Sequence, residues 1–154
     1  MADTFEVQRS TRISASAADI FPKIGHLEGW DDWSPWAEMD PEMTKNYTGD
    51  SGAVGSTYDW SGNRKVGQGK MTLTDTRPDE GVTIDLEFIK PFKAQNVVDL
   101  DLAPDGDETV VTWKMTGQQT FMNKVMGVFG QTMDKMVGPD FEKGLAKLKT
   151  ISEA

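Results

Sequence analysis

The sequence contains no cysteine. Disulfides, thiol nucleophiles, zinc–thiolate sites and iron–sulfur clusters are excluded on that ground alone. Its single histidine, His26, and its two tyrosines, Tyr47 and Tyr58, leave it poor in the usual acid–base catalysts. No apolar run approaches the roughly 20 residues of a membrane-spanning helix. The opening MADTFEVQRS has no signal-peptide core either, so a cytoplasmic location without membrane insertion is the expectation. Positive charge is also in deficit. Sixteen Lys and Arg face 25 Asp and Glu, a formal net charge of −9, and such a surface repels the phosphate backbone of nucleic acids.

The remaining composition describes a folded protein. With 154 residues, 37% hydrophobic and 27% charged, the chain suits one globular domain spanning 1–154 and is too apolar for wholesale disorder. Five Trp, seven Phe and nine Met supply bulky, adaptable apolar side chains of the kind that fill irregular spaces and line permissive binding surfaces. That bias favours an apolar cavity over a hydrolytic site; the plainer alternative is a core that happens to use Met.

Residues 5–14 alternate as a strand. Ser14 or Ser16 offers an N-cap, and a short helix is predicted from Ala17 to Ile24, ended or bent by Pro22. Trp30, Trp33 and Trp36 then follow at intervals of three, which places them near one face of a second short helix around 27–33. From residue 45 the period changes to two. Strands are predicted at 45–49, 55–60, 65–77, 82–89 and 92–102, with a last one through Val111, Trp113, Met115 and Gly117. Turns are marked by DSG, SGN, PDEG and PDGDE, and Gly67 and Gly69 mark a bulge or a close backbone approach inside the fourth strand. From Phe121 the apolar residues recur at three- and four-residue steps through Met122, Val125, Met126, Phe129, Met133 and Met136. After a step at Gly138-Pro139 they continue through Phe141, Leu145, Leu148 and Ile151, with Lys143, Lys147 and Lys149 facing solvent. This order is an α+β layer arrangement: an antiparallel sheet of six to seven strands, two short helices after the first strand, and one long C-terminal helix covering the apolar face.

That element order resembles the START-like helix-grip superfamily, also called Bet v 1-like or SRPBCC. Its bacterial polyketide cyclase/dehydrase-like branch is matched by the opening ISASAADIF at 13–21, by WSPW at 33–36, by TVVTWKM at 109–115 and by the closing MDKMVGPDFEKGLAKLK at 133–149. The resemblance covers nearly the whole chain. It implies a curved sheet gripping the long helix and a cavity between them, with the short helices and hairpin loops at its mouth. Members bind sterols, lipids, hormones or polyketides, and some are cyclases, aromatases or chaperone regulators, so fold alone does not settle function.

Periodicity supplies lining candidates for such a cavity: Met71, Leu73, Phe88, Asn96, Val98, Trp113, Met115, Met122, Met126, Phe129 and Met133, with Trp36 and Trp60 near the mouth. Asn96 falls on the apolar face of its strand. A buried amide needs hydrogen-bond partners, so it serves either as a structural bonder or as a ligand-orienting group. Arg9, Tyr58 and Asn96 are the candidates for catalysis; an outward-facing Arg9 is the ordinary placement for a strand arginine. The acidic run Glu28, Asp31, Asp32, Glu38, Asp40 and Glu42 lacks calcium-loop spacing and reads as a solvated patch. Gly67 and Gly69 lie within a strand, not at a strand–helix junction, which removes a phosphate-binding reading. No metal and no cofactor is implied. The expected function is binding of a small hydrophobic, lipid- or polyketide-like molecule without catalysis, by a monomer or homodimer. A polyketide cyclase, aromatase or dehydrase is the first alternative. An interaction module using exposed tryptophans at 30–36 is the second.

Overall fold

Alternation of buried and exposed side chains organises seven strands into one antiparallel sheet, ordered β1-β7-β6-β5-β4-β3-β2. The computed structural model describes residues 4–35, 40, 42–63, 67–90, 94–118 and 133–154. The strands are β1 (Thr4–Ile13), β2 (Thr44–Thr48), β3 (Thr57–Ser61), β4 (Gln68–Arg77), β5 (Gly81–Lys90), β6 (Ala94–Asp105) and β7 (Glu108–Gln118). The first strand pairs with the last along its whole length, from Thr4 opposite Gln118 to Ile13 opposite Thr109. The remaining neighbours are joined by hairpins. The expected turn at 104–108 is tighter than the sequence implied. β6 runs on to Asp105, β7 resumes at Glu108, and Gly106 takes the positive φ of 65° that a two-residue turn requires.

One face of the sheet is apolar. Val7 and Ile13 on β1, Val82 and Ile84 on β5, Val98, Leu100 and Leu102 on β6, and Val111, Trp113 and Met115 on β7 are all buried. The residues between them, such as Glu6, Gln8, Gln95 and Asp101, are exposed. Register shifts in β4 at Gln68/Gly69 and Leu73/Asp75 bend and twist that strand, as bulges do.

Helix α1 (Ala17–Gly25) starts where expected. The Ser16 Oγ accepts a hydrogen bond from the Asp19 N–H at 3.1 Å, an N-cap that satisfies one of the helix's free donors. Pro22 does not end the helix; α1 continues to Gly25. The residue is exposed, and the cost of its missing N–H is confined to one intrahelical bond. Ala17, Ile20 and Ile24 form the buried stripe.

The segment after α1 is a 3-10 helix, Leu27–Asp32. A three-residue turn eclipses positions i and i+3, and the rings of Trp30 and Trp33 accordingly lie 4.7 Å apart. Their indole N–H groups cap α1. Trp30 Nε1 donates to the Ile24 carbonyl at 2.9 Å and Trp33 Nε1 to the Lys23 carbonyl at 3.0 Å, satisfying carbonyls that a helix end leaves open.

Helix α2 (Met133–Glu153) runs through Gly138 and Pro139 as one helix. It packs chiefly along β1. Phe141 stacks on Trp113 with centroids 4.1 Å apart and planes 4° from parallel. Beyond it, Lys149 Nζ donates to the Arg12 carbonyl at 2.8 Å, and the Glu153 carboxylate accepts from the Ser14 N–H at 2.7 Å. Lys149 is therefore partly buried and anchored to β1, not simply solvated. The apolar stripe expected from Phe121 to Phe129 lies outside the described residues.

Candidate functional site

Among the described residues, the apolar face divides into a sealed half and a half in which Trp60 and Phe88 are only half-buried, the open half. At the sealed half Trp113 is the hub. It meets Trp30 at 5.8 Å and Trp33 at 5.3 Å, both edge-on, and Phe141 face-on at 4.1 Å. Trp113 is 1% exposed, and this cluster ties the sheet, the 3-10 helix and α2 together. Gly144 allows the approach, since a Cβ there would lie 3.0 Å from both Trp113 and Pro35. The expectation of an exposed tryptophan patch at 30–36 is thereby corrected. Trp30 and Trp33 are core residues whose N–H groups are committed to α1, and Trp36 lies outside the described residues.

The open half lies at the other end of the strands, toward Ser61 and Gln68, Lys90 and Ala94, and Gln118. Here Tyr47 on β2, Tyr58 and Trp60 on β3, and Phe88 on β5 form a continuous aromatic ladder. Centroid separations are 4.9 Å from Tyr47 to Tyr58, 6.1 Å from Tyr58 to Trp60 and 6.0 Å from Trp60 to Phe88. Trp60 reaches Phe88 across an intervening strand because β4 presents Gly69 there, paired with Trp60 on one side and Phe88 on the other. A Cβ on Gly69 would lie 2.5 Å from Trp60 Cζ2. The missing side chain is the slot in which the indole lies, a cross-strand use of glycine beside an aromatic. Trp60, Leu86 and Phe88 are only half-buried.

The next row of the face runs Tyr58, Met71, Leu86, Asn96 and Gly117 in register across β3 to β7. Tyr58 is 5%, Met71 8% and Asn96 4% exposed. Asn96 is thus a buried amide between Leu86 and Gly117 on the concave face. Met115 and Val98 pair one row deeper and are buried.

Asp31, read from the sequence as part of a solvated acidic run, instead anchors a polar network at the edge of the ladder. Its Oδ2 accepts from the Tyr47 hydroxyl at 2.6 Å and from Lys45 Nζ at 3.1 Å. Lys45 and Tyr47, two residues apart on β2, necessarily share a face. Tyr58 in turn packs against Tyr47. Burial, and then the nearby Asp31 carboxylate, push both tyrosine hydroxyls well above their ordinary ionisation range. The signal available in the sequence was the position of Asp31 beside a tryptophan with helical spacing to another, a segment that had to dock and not float.

The remaining candidates are dispersed. Arg9 is not outward-facing. It lies under α2 at the β1 edge, where its Nε donates to Glu142 Oε2 at 2.8 Å and its Nη1 to the Gln8 carbonyl at 2.8 Å. Gly138 makes room for the guanidinium, since a Cβ there would lie 2.8 Å from Arg9 Cζ. Four strands separate Arg9 on β1 from Tyr58 on β3, about 24 Å along the sheet at ~4.8 Å per strand. His26 is exposed and hydrogen-bonded to Ser51 Oγ at 2.7 Å. Trp36, Met122, Met126 and Phe129 lie outside the described residues; of Met133 only the helical backbone is described. Among the described residues no group of three or more His, Asp or Glu is placed to hold a metal, and no helix is long and apolar enough to cross a membrane.

The model of a family described as polyketide cyclase/dehydrase and lipid transport matches residues 4–153. The chain belongs to that family. The fold is also that of solved structures with little sequence in common. A major latex-like protein of Panax ginseng is similar over 99% of both chains at 14% identity, with a TM-score of 0.68. A protein of Mesorhizobium loti matches over 97% of this chain and 100% of its own at 16% identity and a TM-score of 0.68. The Aha1 dimer of Colwellia psychrerythraea matches over 97% of this chain and 96% of its own at 19% identity and a TM-score of 0.62. No curated protein matches the sequence. Family membership fits the START-like architecture expected from the motifs, and the helix-grip arrangement of sheet and α2 agrees with it.

Proposed function

We propose that the protein binds a small hydrophobic molecule, lipid- or polyketide-like, on the open half of the concave face, and that it does so without chemical turnover. The observation that carries this reading is the half-buried Trp60–Phe88 pair over Gly69, flanked by Met71, Leu86 and the buried Asn96. Apolar walls with a few fixed polar groups are what small-molecule pockets are made of. Core packing alone accounts poorly for an indole held half in solvent when the same sheet seals three other tryptophans. The cyclase-type alternative needs its polar groups to converge on one carbonyl. Arg9, Tyr58 and Asn96 stand on β1, β3 and β6, and Arg9 is engaged with Glu142, so these residues form no such constellation.

Native mass spectrometry of freshly purified protein, organic extraction, and a Nile red titration test the proposal. An extractable adduct or saturable Nile red binding is expected. Trp60→Ala should weaken that binding about fivefold, from the loss of one aromatic contact. A clean apo mass together with no saturable Nile red binding would refute the reading.

A further inference from the structure

The polar network at the edge of the open half has a direction. A carboxylate only accepts hydrogen bonds. Asp31 therefore orients every hydroxyl around it: Tyr47 donates its proton to Oδ2 at 2.6 Å, and Lys45 donates to the same oxygen at 3.1 Å. Tyr58 packs against Tyr47 with centroids 4.9 Å apart, and the same Asp31 carboxylate acts on its hydroxyl and holds its proton. The Tyr47 proton is thus spent inward, and the charge of Asp31 favours a Tyr58 that turns an oxygen lone pair toward a molecule lying against Trp60. A second, independent observation points the same way. Asp31 Oδ1 is buried and meets no donor among the described residues, although a buried acceptor calls for one. Glu28 adds negative potential at Tyr47, while Lys45 is already paired with Asp31.

Resting on the binding reading above, we propose that this network makes the site selective for apolar molecules bearing a neutral hydroxyl, phenols or alcohols, and that it rejects the corresponding carboxylates. A ligand hydroxyl donates to Tyr58 or to Asp31 Oδ1 and finds an acceptor waiting. A ligand carboxylate brings a third acceptor and a second negative charge to a partly buried carboxylate whose neighbouring cation, Lys45, is already paired with it.

The test is calorimetric titration with three probes of one skeleton: 2-naphthol, 2-naphthoate and naphthalene, at pH 7. The expected order places 2-naphthol at least about tenfold tighter than 2-naphthoate, the scale of one hydrogen bond to a charged or charge-polarised group. Tyr58→Phe and Asp31→Asn should each collapse that preference while naphthalene binding persists, and circular dichroism checks that both variants are folded. Equal or tighter binding of 2-naphthoate, with naphthalene still bound, overturns the selectivity and leaves the apolar site standing. A preference unchanged in both folded variants removes Asp31 and Tyr58 from it. Binding of none of the three overturns the proposal together with the reading it rests on.

Discussion

Replacing Gly69 by alanine pits two opposed effects against each other. Gly69 has no positive φ, so nothing in its backbone requires glycine. On that ground alone alanine should stabilise the protein by about 0.4–1 kcal/mol, because it narrows the unfolded ensemble. Packing demands the reverse. The new methyl would lie 2.5 Å from Trp60 Cζ2 and 2.6 Å from the Glu87 carbonyl oxygen. The indole can swing away only by abandoning its edge-on contact with Phe88 at 6.0 Å. The carbonyl belongs to the β4–β5 ladder and cannot yield without disturbing it. Overpacking of this kind costs about 1–3 kcal/mol. The sum is a net loss of roughly 1–2 kcal/mol, which for a chain of this length lowers the midpoint of thermal unfolding by about 2–8 °C.

Urea unfolding followed by far-UV circular dichroism gives the sign directly, and an unchanged m-value confirms that the native state was the one affected. Nile red affinity should fall in the same variant, since the displaced indole is a wall of the proposed site. A Gly69→Ala protein that is more stable than wild type and binds Nile red equally well would refute the reasoning. It would mean that Trp60 does not lie over Gly69 and that the aromatic ladder is broken there.

Two further outcomes follow from the same geometry. Tyr47 and Tyr58 are the only tyrosines, and both are held neutral, so an alkaline titration of absorbance at 295 nm should show no ionisation at the ordinary midpoint near ~10. A tyrosine whose folded pKa is raised contributes stability that is fully present below its unfolded pKa and is lost as the pH climbs toward the folded one. Stability should therefore decline above about pH 10, with tyrosinate appearing together with unfolding; a reversible component near 10 in folded protein would contradict the network. Phe141→Ala removes the ring stacked on Trp113 and the apolar grip of α2 on the sheet. A loss of about 3–5 kcal/mol is expected in urea, and a loss below ~1 kcal/mol would show that α2 is held by its polar contacts instead.

How much of this was legible in the chain depends on which interactions are local. The hairpins were, because a period of two and a turn signal are properties of ten consecutive residues, and Val82, Ile84, Val98 and Leu100 sit on the face their alternation assigned. The N-cap at Ser16 was legible for the same reason. The helix itself was legible to within a residue, Ala17 to Ile24 against Ala17–Gly25; what the sequence left open was whether Pro22 ends or bends it, since tolerance of a proline depends on where its ring faces once the helix has docked. The tryptophans at 30 and 33 carried the right spacing and the wrong inference. Spacing places two side chains on one face, but it does not say that the face meets the end of α1 and donates to Lys23 and Ile24. Asp31 was misread because six acidic residues within fifteen positions resemble a surface. Its partners, Lys45 and Tyr47, arrive from a strand more than a dozen residues away.

The site itself was half legible, and the division has a physical origin. Alternation names every residue on the concave face, Trp60 and Trp113 alike, and cannot say which of them the helices will cover. Among the described residues, the 3-10 helix and α2 converge on Trp113, while Trp60 and Phe88 stay half-buried. Concentrating four large aromatics at one end has an energetic consequence. Trp30, Trp33, Trp113 and Phe141 are each 3% exposed or less, and truncating any such ring costs about 3–5 kcal/mol, so the sealed half by itself holds the sheet, α1 and α2 in place. The open half is then released from that duty. It can leave an indole and a phenyl ring half in solvent, hold an amide at 4% exposure beside them, and keep a carboxylate with one unclaimed oxygen. Each of these is unfavourable for an empty core, and each is relieved by an apolar molecule with something to donate.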